Sequence, residues 1–340
     1  MAPVATTEQT LQSNGTPKKA VSNGIAKVFN PFYSPPASDE NDGTYKFAHY
    51  KPSFPDIVWA PLEEQEVTDR GLSADPEKNA LFSAATKVQH LTPAIGTEIT
   101  GIDLRQLSPQ QKDEFAFSKI ELWHSDVSYE LQPPSTTSLK LIEGPPYGGD
   151  TLWSSGYALF SSFSPQFQKY LESLYAVHSA VAQADGARAA GHTVRREAIE
   201  SIHPVVRVHP ATGWKSVYVN PGFTRRIVGV PKAESDAVLN LLFHQISDNP
   251  DFQVRFHWEP NSVAIWDNRV TTHSATFDFY PHTRHALRAT PHGEKPTSVE
   301  EYERHGKVAK DRQLDIWKQT GISLPESAQL GKSTPRGYND

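Results

Sequence analysis

Between residues 136 and 290 the chain alternates short β-branched and aromatic runs with proline and glycine, and that punctuation restricts it to a fold of many short strands. The runs 136–141, 151–154, 205–209, 216–219, 262–266 and 285–290 read as strands, and 96–102 alternates in the same way. The Gly148-Gly149-Asp150 run reads as a tight turn before a strand. Helical segments are expected between the strands over 157–177 and 232–246. The second opens after Pro231 and carries Val238, Leu241 and Leu242 at helical spacing. A third helix start is expected at Ser108-Pro109, a capping residue followed by proline at the first helical position. Short strands with helices packed outside them indicate a mainly β fold with flanking helices, built on a double-stranded β-helix (jelly-roll) core.

Length and composition narrow the class further. At 340 residues the chain can bury a sizeable core. Its formal net charge of −6 gives no basic signature of a nucleic-acid binder. It has no cysteine, which excludes disulfides, thiolate metal sites and cysteine nucleophiles together. No apolar run approaches a membrane span, and the first residues lack a secretory pattern, so a cytoplasmic protein is expected. Residues 1–45 are rich in Ser, Thr, Asn, Pro and Lys and read as a disordered arm. Residues 46–298 form the expected domain, and 299–340 a polar C-terminal extension.

The chemistry concentrates in Trp123-His124-Ser125-Asp126, answered downstream by Trp266-Asp267-Asn268-Arg269 and His273. Two histidines and a carboxylate are the set with which non-haem oxygenases hold one face of Fe(II). His124 and Asp126 are two apart, so on a strand both would leave the same face. His-x-Asp alone is weak evidence among 14 histidines, and His273 alone reads equally as a hydrogen-bonded core residue. Arg284 and Arg288 are four apart and would share a strand face. If they point inward, they call for anionic ligands, because buried guanidinium groups are costly without them. Spacing leaves a surface salt-bridge pair equally open. Thr151, after the glycine turn, could offer a hydroxyl to a carboxylate, but taken alone it reads as an ordinary strand residue.

Taken together, these motifs resemble the TauD/TfdA family of Fe(II)- and 2-oxoglutarate-dependent dioxygenases, and within it the taurine and alkylsulfonate enzymes. The resemblance runs through His124-Ser125-Asp126, Gly148-Gly149-Asp150-Thr151-Leu152-Trp153, His203-Pro204-Val205-Val206-Arg207, Asn220-Pro221-Gly222-Phe223-Thr224, Trp266-Asp267-Asn268-Arg269, His273, Arg284 and Arg288. It implies that His124, Asp126 and His273 hold Fe(II). It also implies that Thr151 and Arg284 hold 2-oxoglutarate as co-substrate with O2, that Arg288 meets a small anionic substrate, and that Phe223 lines its pocket. The expected reaction is hydroxylation of a taurine-like sulfonate to release sulfite and an aldehyde. The alternatives are another anionic substrate, such as a sulfate ester or aryloxyacetate, or a truncated inactive family member. Neither nucleic acid nor membrane is an expected partner, and homo-oligomerisation is left open.

The chain departs from the family pattern in one place above all. Relatives carry several dozen residues between a segment like Gly101-Ile102-Asp103-Leu104 and the His-x-Asp motif, and here 107–120 is almost all that remains. Ile120 stands where the sulfonate enzymes have an amide. Gln183 and Ala184 stand where a Ser-Phe pair would close the pocket.

Overall fold

Period-two burial organises the centre of the molecule. In strand β3 (Thr136–Glu143), Thr137, Leu139 and Leu141 are buried while the residues between them are less so, as a strand with one face on a core requires. The computed structural model describes residues 46–47, 60, 62–75, 77–101, 123–189, 194, 196–276, 278–279 and 282–321. The expected arm over 1–45, the Ser108-Pro109 helix start and Ile120 lie outside them. Before β3 the described strands are β1 (Lys87–His90) and β2 (Thr97–Thr100), an antiparallel pair. After it come β4 (Thr151–Ser155), β5 (Tyr175–Ser179), β6 (Glu200–Pro204), β7 (Val206–Val208), β8 (Lys215–Val217) and β9 (Thr224–Ile227). The last four are β10 (Gln253–Phe256), β11 (Val263–Asp267), β12 (Thr271–Ala275) and β13 (His285–Ala289).

Two antiparallel three-stranded sheets, ordered β10-β4-β12 and β11-β3-β13, make the centre of the expected jelly roll. Leu139 and Leu141 from one sheet meet Trp153 from the other, with Trp258 and Trp266 completing the apolar filling. Trp153 and Trp266 pack edge to face with ring centroids 4.7 Å apart. A second cluster, of Leu159, Phe160, Leu171, Val206, Val217, Leu239 and Leu242 among others, packs helices against the β7-β8 and β6-β5-β9 sheets.

The helix Lys232–Asp248 follows Pro231 as expected and buries Ser235, Val238, Leu239, Leu242 and Ile246 along one stripe. It ends where Asn249 precedes Pro250, since a residue before proline is pushed out of the helical region. The helix expected over 157–177 is instead two helices, Gly156–Ser161 and Pro165–Glu172, followed by β5. Ser164 is extended and caps the Phe167 N–H, and Pro165 opens a new helix rather than continuing the old one. Ala176-Val177-His178 then leaves the helical period to pair with both β6 and β9. No helix among the described residues is long and apolar enough to cross a membrane.

A buried ionic knot pins the turn between β11 and β12. Arg269 binds Asp267 at 2.7 Å, Glu294 at 3.2 Å, and Asp69, while His209 Nε2 lies 3.0 Å from Asp267 Oδ2. Burial alone would raise the Asp267 carboxyl, but Arg269 and His209 overcome it and hold it well below the usual carboxylate range.

Candidate metal centre and co-substrate corner

An isolated antiparallel bridge brings the two histidines together. His124 N donates to His273 O at 2.9 Å and His273 N to His124 O at 2.8 Å, so the residues sit directly opposite one another. Their ring centroids are 4.3 Å apart. β12 carries His273 inward because its partner in β4 is Trp153, which faces the same core.

Asp126 reaches the site by a turn, not along a strand as its spacing suggested. Only His124 is ladder-paired, and Val127 then adopts φ 38°, a left-handed conformation that is strained for a β-branched residue. The Glu130 N–H closes the turn onto Val127 O at 2.9 Å. The bend brings Asp126 Oδ1 to 3.8 Å from His124 Nε2. Ligand atoms of His124, Asp126 and His273 all lie within 4.8 Å of one another, and all three residues are buried. Two imidazoles and one carboxylate in that arrangement fit an iron of the facial-triad type.

The carboxylate is held at both oxygens. Thr137 Oγ1 donates to Asp126 Oδ2 at 3.1 Å, and Asn268 Nδ2 donates to Thr137 Oγ1 at 2.6 Å. Asp126 N in turn donates to Asn268 Oδ1 at 3.4 Å, closing a ring of contacts. Arg288 Nη1 donates to Asp126 Oδ1 at 2.9 Å. Thr137 and Asn268 are fully buried, and sequence reading missed both. Asn268 lay inside the motif Trp266-Asp267-Asn268-Arg269 but was given no role of its own, and the one signal for Thr137 was its register in β3.

Phe223 sits beside the histidines, its ring edge to face with His124 at 5.7 Å and with Tyr129 at 5.0 Å. Gly222 permits this approach, since a Cβ there would stand 2.9 Å from the His124 Cβ. The loop is fixed from behind: Asn220 Oδ1 accepts from Phe223 N at 2.8 Å, and Asn220 Nδ2 donates to Ser128 Oγ at 3.0 Å. Ser128 is bonded in turn to His178 Nδ1 at 2.9 Å. Burial lowers the His178 imidazole well below its ordinary value and that of His203 to about 3, so both are neutral. On the outer side, Tyr129 donates to Gln183 Oε1 at 2.8 Å. Gln183 is exposed on the helix Val181–Ala189, whereas Ala184 is buried.

Thr151 and Arg284 both contact Trp258. Thr151 is fully buried at the start of β4, where Gly148 (φ 72°) and Gly149 (φ 67°) make the tight turn expected before it. Arg284 precedes β13 rather than lying on it, so the shared strand face expected for Arg284 and Arg288 is not what relates them. The Arg284 Nε donates to Gly149 O at 2.9 Å. Burial pulls its guanidinium down to about 10. Its Nη2 is buried with no hydrogen-bond partner among the described residues. A desolvated guanidinium with a buried N–H of this kind is suited to an anionic partner such as a carboxylate.

The family model described as taurine catabolism dioxygenase TauD, TfdA family, matches residues 70–290. An alpha-ketoglutarate-dependent sulfonate dioxygenase of Saccharomyces cerevisiae is 35% identical, covering 74% of this chain and 79% of the relative. That match runs over 324 positions yet takes up 74% of 340 residues, so the relative has residues within the matched span that this chain lacks. An alpha-ketoglutarate-dependent sulfate ester dioxygenase of Pseudomonas putida is 32% identical, covering 56% of this chain and 65% of the relative. The crystal structure of a taurine dioxygenase from Burkholderia xenovorans superposes with TM-score 0.53 at 29% identity, covering 63% of this chain and 93% of that one. With the jelly-roll core and the His-Asp-His cluster, these matches lead to one conclusion: the chain belongs to the TauD, TfdA family of dioxygenases.

Proposed function

We propose that this protein is an Fe(II)- and 2-oxoglutarate-dependent dioxygenase that hydroxylates a small, taurine-like sulfonate at the carbon bearing sulfur. The observation that carries the reading is the convergence of His124, Asp126 and His273 on one buried point, with Arg288 donating to it from a partly exposed position. The sulfonate dioxygenase relative supports the substrate class.

His124, Asp126 and His273 hold the iron, and Thr151 with Arg284 holds the distal carboxylate of 2-oxoglutarate. When bound, iron with 2-oxoglutarate and O2 supplies the oxidant that converts a substrate C–H into C–OH. Every other contribution is the chain's own. Arg288 orients the sulfonate, which stays anionic at any working pH. Phe223 and Tyr129 wall the space beside His124 and keep water from it. One oxygen atom of O2 enters the substrate and the other enters succinate, with loss of CO2. The hydroxylated carbon then releases sulfite: the C–S pair leaves with sulfur, the hydroxyl proton goes to solvent, and an aldehyde remains.

The test is a stoichiometry. The full chain supplied with Fe(II), 2-oxoglutarate, O2 and a panel of alkylsulfonates is expected to form sulfite and succinate one to one. Succinate without sulfite across the panel would refute the sulfonate assignment. The Pseudomonas putida relative favours a second reading, an alkyl sulfate ester, which would release inorganic sulfate instead. The residues that this chain lacks favour a third, a family member that binds Fe(II) and 2-oxoglutarate without turnover. Binding with no product from either substrate class would select it.

A further inference from the structure

Trp258 touches both groups of the co-substrate corner and was assigned no part in it by its sequence context. It is 2% exposed and lies in the core cluster with Trp153 and Trp266. Its ring is held edge to face by Phe256 at 5.2 Å. The indole Nε1–H donates to Thr151 Oγ1 at 3.0 Å. A hydroxyl has one proton and two lone pairs. With the indole occupying a lone pair, the Thr151 proton is left to point at some other acceptor.

The same ring also supports the arginine. Arg284 Cζ lies 5.6 Å from the Trp258 ring centroid, within cation–π range. Because Arg284 Nε is committed to Gly149 O, its outer face is turned by two contacts, the carbonyl and the indole. A Cβ at Gly149 would stand 3.0 Å from the Arg284 Cδ, and with φ +67° any larger residue there would be strained and would press on the arginine.

We infer that Trp258 is a positioning residue for the co-substrate: its N–H sets the Thr151 hydroxyl as a donor and its ring sets the plane of Arg284, so that both aim at one distal carboxylate. The inference rests on the reading of Thr151 and Arg284 as the 2-oxoglutarate carboxylate pair. Burial of the arginine and the missing partner at its Nη2 fit a site that an anion completes.

Binding tests this with two probes on the full chain loaded with Mn(II): 2-oxoglutarate, and 2-oxopentanoate, which has a methyl where the distal carboxylate would be. Trp258→Phe keeps an aromatic ring and removes the N–H. It is expected to weaken 2-oxoglutarate about 3- to 10-fold, the loss of one hydrogen bond, and to leave 2-oxopentanoate unchanged. Thr151→Val is expected to weaken 2-oxoglutarate similarly, and adding Trp258→Phe to it should cost nothing more. Should Trp258→Phe unfold, Trp258→Tyr carries the same expectation. Equal weakening of both probes would mean that Trp258 only packs, and would overturn the inference. So would an unchanged Trp258→Phe beside weakened Thr151→Val and Arg284→Met, although the carboxylate site would then stand. If Thr151→Val and Arg284→Met both bind 2-oxoglutarate normally, the carboxylate site itself falls.

Discussion

The proposed metal centre and the proposed substrate wall are held in different ways. His124, Asp126 and His273 are each fixed by the framework: reciprocal backbone bonds for the histidines, and Thr137, Asn268 and the strained turn at Val127 for the carboxylate. Arg288 and Gln183 are partly or largely exposed, and each is tied down by a side-chain bond. A buried carboxylate such as Asp126, bonded at both oxygens, cannot move without leaving a partner unpaired, which costs more than the bond itself contributes. An exposed side chain can exchange its partner for water. On the proposed reading, the difference makes metal binding the constant part of this molecule and substrate choice the adjustable part.

The sharpest way to break that comparison is to remove one member of each region. Asp126→Ala should abolish binding of Fe(II) or Mn(II) in calorimetry. Arg288→Ala should leave metal and 2-oxoglutarate binding intact while raising the KM for an anionic substrate roughly 10- to 100-fold, the scale of a lost charge-assisted bond. Loss of metal from Arg288→Ala would show that the wall is as tightly coupled as the centre. A smaller effect sharpens the claim about the framework. Thr137→Val should weaken Mn(II) about 10-fold, at the low end for residues that orient a ligand, and Thr137→Ser should restore it. Equal metal affinity in all three forms would mean that the Asp126 carboxylate needs no help from β3.

A separate expectation concerns stability. His178 and His203 are neutral and have depressed values in the fold, while in the unfolded chain each would titrate near 6.5. Their contribution is therefore full above about pH 6.5 and falls as the pH drops toward the folded values, because the unfolded chain takes up the protons. For His203 this should cost about 2 kcal/mol of stability by pH 5, and His178 shifts in the same direction. Denaturant unfolding at pH 7 and pH 5 measures this. His203→Gln should remove the His203 share of the pH-dependent loss, and an unchanged slope would place the titration elsewhere.

Much of the fold was legible because burial in a strand is a local pattern: β3, β4, β11 and β13 fall on runs that alternate or punctuate in the sequence. The error over 157–177 came from apolar residues that fit a helical period, with Pro165 carrying the contrary signal. Ala176 and Val177 became a strand because β6 and β9 stood on either side to pair with them. The two-residue spacing of His124 and Asp126 suggested a strand, but a turn delivers the carboxylate.

Donor chemistry resides in side-chain identity, so the sequence by itself determined that two imidazoles and a carboxylate were available, in which order, and beside which arginines. Only the tertiary structure decided which atoms meet. The bridge between His124 and His273, the Asn268-Thr137-Asp126 chain and the indole on Thr151 all join residues from different strands or loops, and each exists only in the register the sheets adopt. Register is settled by the packing of whole faces against the core, a sum over many side chains that no single motif contains.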